Sequence, residues 1–127
     1  MGSLNYWRTD YHYRNKVDRR DPVFLASITS RLVHNMIQVL FAINNTYYVG
    51  DGNNLHYVEQ FAVQPKDFAG RVETILYPPQ SENKMTAQYA AIMDLIDELA
   101  PLAAEAKGTD TTANKRPEAT LDSAPQP

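Results

Sequence analysis

Side chains able to do chemistry are thinly spread over this 127-residue sequence, and they gather best around one loop. Residues 44–54 read NNTYYVGDGNN, and Gly50 and Gly52 there permit backbone angles that other residues resist. Tyr47 and Tyr48 enter this loop from the end of an apolar stretch. Aromatic and acidic groups on a rigid support are the usual arrangement for binding. The Gly-Asp-Gly core lacks the repeated acidic positions and closing Glu of a calcium loop. It also lacks the Lys-Ser/Thr of a phosphate loop.

Other constellations carry less. Arg31, Asn35 and Gln38 lie at i, i+4 and i+7, one polar stripe that could line a ligand groove, although a plain solvent-facing side explains it as well. Asp94 and Asp97, at i and i+3, could do acid–base or metal work; a solvated helix face is the plainer reading. The chain has no cysteine, which removes disulfides, thiolate metal sites and Cys nucleophiles. His12, His34 and His56 match no metal spacing, and no Ser sits in a nucleophile-elbow setting. Arg8 with His12 and Arg31 with His34 both miss the Arg-x4–6-His spacing of a helical-bundle RNase.

The elements that must position these groups are helical. Residues 21–48 open on Asp21 as N-cap and Pro22 at the first helical position. Leu25, Ile28, Leu32, Met36, Leu40 and Ile43 then recur at three-four spacing, widened by Val33, Ile37 and Phe41, which predicts a core-facing central helix. Arg31, His34, Asn35 and Gln38 interrupt the run, against a membrane span. Residues 4–19 predict one short amphipathic helix whose Trp7 and Tyr11 pack on the central helix. Aromatics beside Arg and Lys also suit nucleic acid, but the chain is acidic and carries no RNA-binding signature.

After the loop, Asn53 or Asn54 caps a short helix to about Phe61, with Leu55, Val58 and Phe61 as its buried row. Pro65 starts another, from Lys66 to about Leu76, with Phe68, Val72, Ile75 and Leu76 inward. Gly70 inside it costs up to about 1 kcal/mol against Ala, for which close approach of another helix is one reason. Pro78 and Pro79 force an extended turn. Ser81 then caps a last helix, about 82–100, with Met85, Tyr89, Ile92, Met93, Ile96 and Leu99 on one side. Pro101 ends or kinks it, with an Ala-rich extension to about Lys107. Residues 108–127 hold almost no large apolar residue except Leu121 and are expected to be disordered.

The fold class predicted is therefore all-α: an irregular bundle of three main helices plus two short connecting helices, with a disordered C-terminal tail. The organisation reads as residues 1–20, an aromatic and basic N-terminal helix, residues 21–107, the bundle, and residues 108–127, the tail. Net charge is −3, but residues 1–20 carry five basic and two acidic side chains. That basic segment suits a phosphate-bearing ligand or simply an acidic neighbour. The first residues lack an apolar core of signal-peptide length, which argues for a cytoplasmic protein. No cap signal precedes Leu4 to Trp7, so the chain reads as starting in mid-helix, like a fragment of a longer protein.

Residues 39–79, VLFAINNTYYVGDGNNLHYVEQFAVQPKDFAGRVETILYPP, resemble the C-terminal helical half of an uncharacterised nucleotidyltransferase-fold family, distantly like aminoglycoside nucleotidyltransferases. The family's helix ending in Leu-Phe-Ala-Leu-Asn corresponds to residues 40–44, and its aromatic loop to Tyr47 and Tyr48. Its Tyr-hydrophobic-Glu element corresponds to residues 57–59, and its Lys-Pro-x-x-Phe-x-x-Arg run to the stretch holding Pro65, Phe68 and Arg71. Flanking residues 21–35 and 88–99 are compatible. The resemblance implies a helical companion domain that closes over nucleotide and helps bind the acceptor.

The family's chemistry lies in an N-terminal α/β domain with a Gly-Ser motif and paired Asp residues, and neither occurs here. This chain alone is thus expected to lack catalysis and to hold no cofactor, with ATP and Mg²⁺ belonging to the parent family. The resemblance makes Asn44, Tyr47, Tyr48 and Asp51, then Arg31 and Asn35, the candidates for the surface facing a nucleotidyltransferase catalytic domain (in cis or in trans) or a nucleotide or small-molecule acceptor. The alternative is a free-standing helical interaction module, dimeric through its aromatic N-terminal helix. A membrane partner is not expected.

Overall fold

A computed structural model describes residues 1–48, 50 and 52–108 of the chain. Those residues are all-helical, an irregular bundle of six helices: α1 (Gly2–Arg8), α2 (Tyr11–Asp18), α3 (Pro22–Ile43), α4 (Asn54–Glu59), α5 (Phe68–Leu76) and α6 (Lys84–Gly108). Residues 109–127, most of the stretch expected to be disordered, lie outside the described residues.

α3 forms as its pattern dictates. The Asp21 carboxylate accepts the Phe24 amide at 3.1 Å, and Pro22 occupies the first turn, where its missing N–H costs nothing. Leu25, Ile28, Leu32, Met36 and Leu40 are buried, with Val33, Ile37 and Phe41 beside them, and Ile43 is half-buried. The helix stops because Asn45 turns left-handed (φ 53°). The Asn45 amide then bonds Ala42 O and the Thr46 amide bonds Phe41 O, which satisfies carbonyls the helix would leave open. α3 is long and apolar enough to cross a membrane by length and composition. Here its apolar face is instead the wall of the core, clasped by the other helices.

α6 is the second spine and packs on α3 through Ile92, Met93, Leu95, Ile96 and Leu99. It continues past Pro101 to Gly108, in line with the Ala-rich extension expected to about Lys107. The carbonyl that Pro101 releases is that of Asp97, an exposed residue, so water can take the lost bond. Asp97 itself is not merely solvated. It takes Arg8 Nε at 2.9 Å, while Glu98 takes Arg71 Nη2 at 2.7 Å, so α1 and α5 are pinned to successive residues of α6.

The N-terminal segment is two helices, not one. Asp10 breaks it by leaving helical geometry (ψ 124°) and accepting the Tyr13 amide at 2.9 Å. The break re-aims the aromatics. Leu4, Tyr13 and Val17 are the buried residues, Trp7 is half-buried, and Tyr11, expected in the core, is 72% exposed. Both helices touch α3 and α6.

Of the short helices, α4 starts where the sequence suggests but ends sooner, and α5 starts later. Asn53 precedes α4 in a left-handed conformation and makes no side-chain cap; α4 ends at Glu59, with only Val58 fully buried. α5 starts at Phe68, not near Lys66, behind a left-handed Asp67 (φ 53°). A Cβ on Gly70 would stand 2.6 Å from an Asp67 carboxylate oxygen, so this glycine accommodates its own first turn rather than another helix. Ser81 accepts the Asn83 amide at 3.0 Å, but α6 begins only at Lys84.

Candidate functional site

The loop leaving α3 is closed by one amide. Asn44 Nδ2 donates to Leu40 O at 2.8 Å and to Val63 O at 2.9 Å, and Asn44 Oδ1 accepts the Val63 amide at 3.1 Å. The helix end and residue 63 are thereby clipped together, with the loop and α4 between them. Gln64 completes the closure, its Nε2 donating to Val58 O at 3.0 Å and Phe61 O at 2.9 Å. Those carbonyls lie at and just past the end of α4, where Val58 O also takes the Phe61 amide at 2.9 Å.

Under the clip lies an aromatic wall. The Phe41 ring stands edge-on to Tyr48 at 5.4 Å and to Phe61 at 5.0 Å, with Tyr57 at 6.3 Å. Tyr48 is therefore an anchor, and its polar end meets α3 and α4. Its hydroxyl lies 3.3 Å from His34 Nε2 and accepts Asn54 Nδ2 at 3.3 Å. Asn54 Oδ1 is buried and has no partner among the described residues. Tyr47, the next residue back, turns outward and is 42% exposed. Gly50 and Gly52 hold φ of 95° and 90°, as the loop's path requires.

The structure sorts the sequence-predicted residues into three groups. Tyr47 and Tyr48 stand together at the loop, one outward and one anchored. Asn44 is there too, but as the clip itself, with both ends of its amide already used. Asn35 is spent elsewhere, donating to Ser3 Oγ of α1 at 3.0 Å, and so belongs to helix docking rather than to a groove with Arg31. Arg31 is exposed on α3, one turn before His34. Asp51 falls outside the described residues.

His34 and Asn54 were the residues that sequence reasoning passed over. His34 falls between the polar and apolar stripes of α3, and that intermediate position is the only signal that it meets a neighbouring element. Chemically, the cluster offers a hydroxyl, an imidazole and an amide against an aromatic wall, a set suited to holding a polar planar ligand. Among the described residues, no three or more His, Cys, Asp or Glu side chains gather as a metal site.

No protein-family model, curated protein or solved structure matches the chain. The site therefore has to be read from its own geometry.

Proposed function

We propose that this chain is a non-catalytic helical companion domain of a nucleotidyltransferase-like protein, cytoplasmic, with the loop end of α3 as its substrate-facing surface. The observation that carries the reading is the Asn44–Val63 clip. It closes a loop whose Tyr48 is pinned by His34 and Asn54 while Tyr47 faces out, a fixed frame presenting an aromatic ring. The likeness of residues 39–79 to the helical half of that family supports it from the sequence side. In this reading the catalytic domain supplies ATP–Mg²⁺ and the paired carboxylates, and this chain contributes Tyr47, Tyr48 and Arg31 to the nucleotide or its acceptor.

Titration of ATP–Mg²⁺ into the isotopically labelled chain is the test. Selective shifts of the Tyr47 and Tyr48 rings and of His34, reduced by Tyr47→Ala, are expected. Unmoved resonances at all three positions would remove the nucleotide-facing role.

A second reading has its own observation. Tyr6 and Tyr11 are 59% and 72% exposed on the two N-terminal helices, which suits a protein-interaction module or a homodimer. Sedimentation over a concentration series decides it: a dimer that Tyr6→Ser with Tyr11→Ser abolishes would favour this second reading.

A further inference from the structure

Away from the loop, two cavities flank the turn between α5 and α6. One, of about 180 Å³, is walled by Leu25 and Ala26 of α3, Leu76, Pro78 and Met85. The other, of about 200 Å³, lies against Ile75, Pro79, Ala87 and Ala91. Pro78, Lys84 and Gln88 line both, so the two cavities adjoin along the α5–α6 groove. Neither cavity alone reaches the roughly 300–1,000 Å³ of a small-molecule site, and together they enter that range.

The polar groups in this wall are used up, with one exception. The Thr29 hydroxyl donates to Gln88 Oε1 at 3.1 Å, and Gln88 Nε2 donates to Ile75 O at 2.7 Å, so neither seeks a ligand. Lys84 differs. Its ammonium donates to the neutral Gln80 Oε1 at 2.8 Å and takes part in none of the ion pairs among the described residues. The groove thus offers an apolar floor and one cation without a carboxylate. A small molecule with an apolar body and an anionic head complements both at once, since a charge-assisted bond to Lys84 is stronger than its bond to an amide.

We propose that the α5–α6 groove binds a medium-chain fatty carboxylate, with its alkyl chain across the two cavities and its carboxylate on Lys84. The site is independent of the nucleotide-facing reading. None of Arg31, His34, Asn44, Tyr47, Tyr48 and Asn54 lines either cavity.

The probes are decanoate and its uncharged counterpart decanol, added to the full chain while the Met85 methyl and the Gln88 side-chain amide are followed by NMR. Saturable shifts of both signals with decanoate are expected, with decanol about tenfold weaker, the difference one charge-assisted contact makes. Lys84→Met keeps the apolar stem and should bring decanoate down to the level of decanol. Ala87→Trp fills the second cavity and should abolish both. Equal binding of acid and alcohol to the unaltered chain overturns the proposal. So do shifts confined to the Tyr6 and Tyr11 surface, or no shift at Met85 and Gln88.

Discussion

At the scale of single residues, Asn44 holds two distant backbone segments together with both ends of one amide. Asn44→Ala should cost about 1–2 kcal/mol, because three partly solvated hydrogen bonds are lost at modest net value each. Urea unfolding would measure this. A loss below about 0.5 kcal/mol, the scale of ordinary surface changes, would mean the clip holds nothing. Asn44→Asp keeps the acceptor for Val63 but places a carboxylate beside two carbonyls, and it should not restore stability. None of this is legible in the sequence. An Asn at a helix end announces a stop, as Asn45 does, but not that its neighbour reaches across the loop to residue 63. Tyr47 and Tyr48 could be assigned to the loop from their positions, whereas the division between outward ring and anchored ring depends on Phe41, Tyr57 and Phe61 packing beneath.

At the scale of elements, the bundle's two outer helices are tied to α6 by Arg8 with Asp97 and Arg71 with Glu98. The hydrogen bond from Arg71 holds the Glu98 carboxyl below its ordinary range, although partial burial opposes this. The sign follows from linkage. A carboxyl lowered in the folded state contributes stability above its unfolded pKa, about 4.3, and that contribution is lost as pH falls through the lowered folded value. Arg71→Met should therefore lower Tm at neutral pH by more than it does near pH 3. Because the pair is well exposed, salt should shrink the neutral-pH difference. A Tm difference unchanged between pH 7 and pH 3 would show that the stem of Arg71, not its charge, matters.

The element that sequence reading placed best is α3, since twenty-two residues of regular apolar spacing leave only a helix as a solution. The misplacements come where a short polar side chain competes with periodicity. Asp10 interrupts what spacing alone joins, and Asp67 delays α5 by turning left-handed. Pro101 does not stop α6, because the Ala-rich residues after it are strong helix formers.

At the scale of the whole molecule, α1 and α2 bury Leu4, Tyr13 and Val17 against both long helices. Removing residues 1–20 exposes these contacts on two faces at once. The shortened chain should lose cooperative unfolding, with helical circular dichroism retained in part and a broad thermal transition. A sharp transition within a few degrees of the full chain would mean that the N-terminal helices are an accessory layer. The all-helical class was open to sequence reasoning because each helix carries its own pattern. Which helices share the core was not, because that depends on apolar contacts between residues far apart in the chain, and no local signal encodes them.

The single tryptophan of the chain lies at one corner, its ring edge-on to Tyr6 at 5.1 Å and to Tyr13 at 6.1 Å. Its emission is consequently a gauge of that corner alone. Fluorescence would report α1 and α2 peeling away, yet stay silent if the tyrosine loop at the far end melted first. Two optical probes that disagree on this molecule would then be mapping where it comes apart, not contradicting each other.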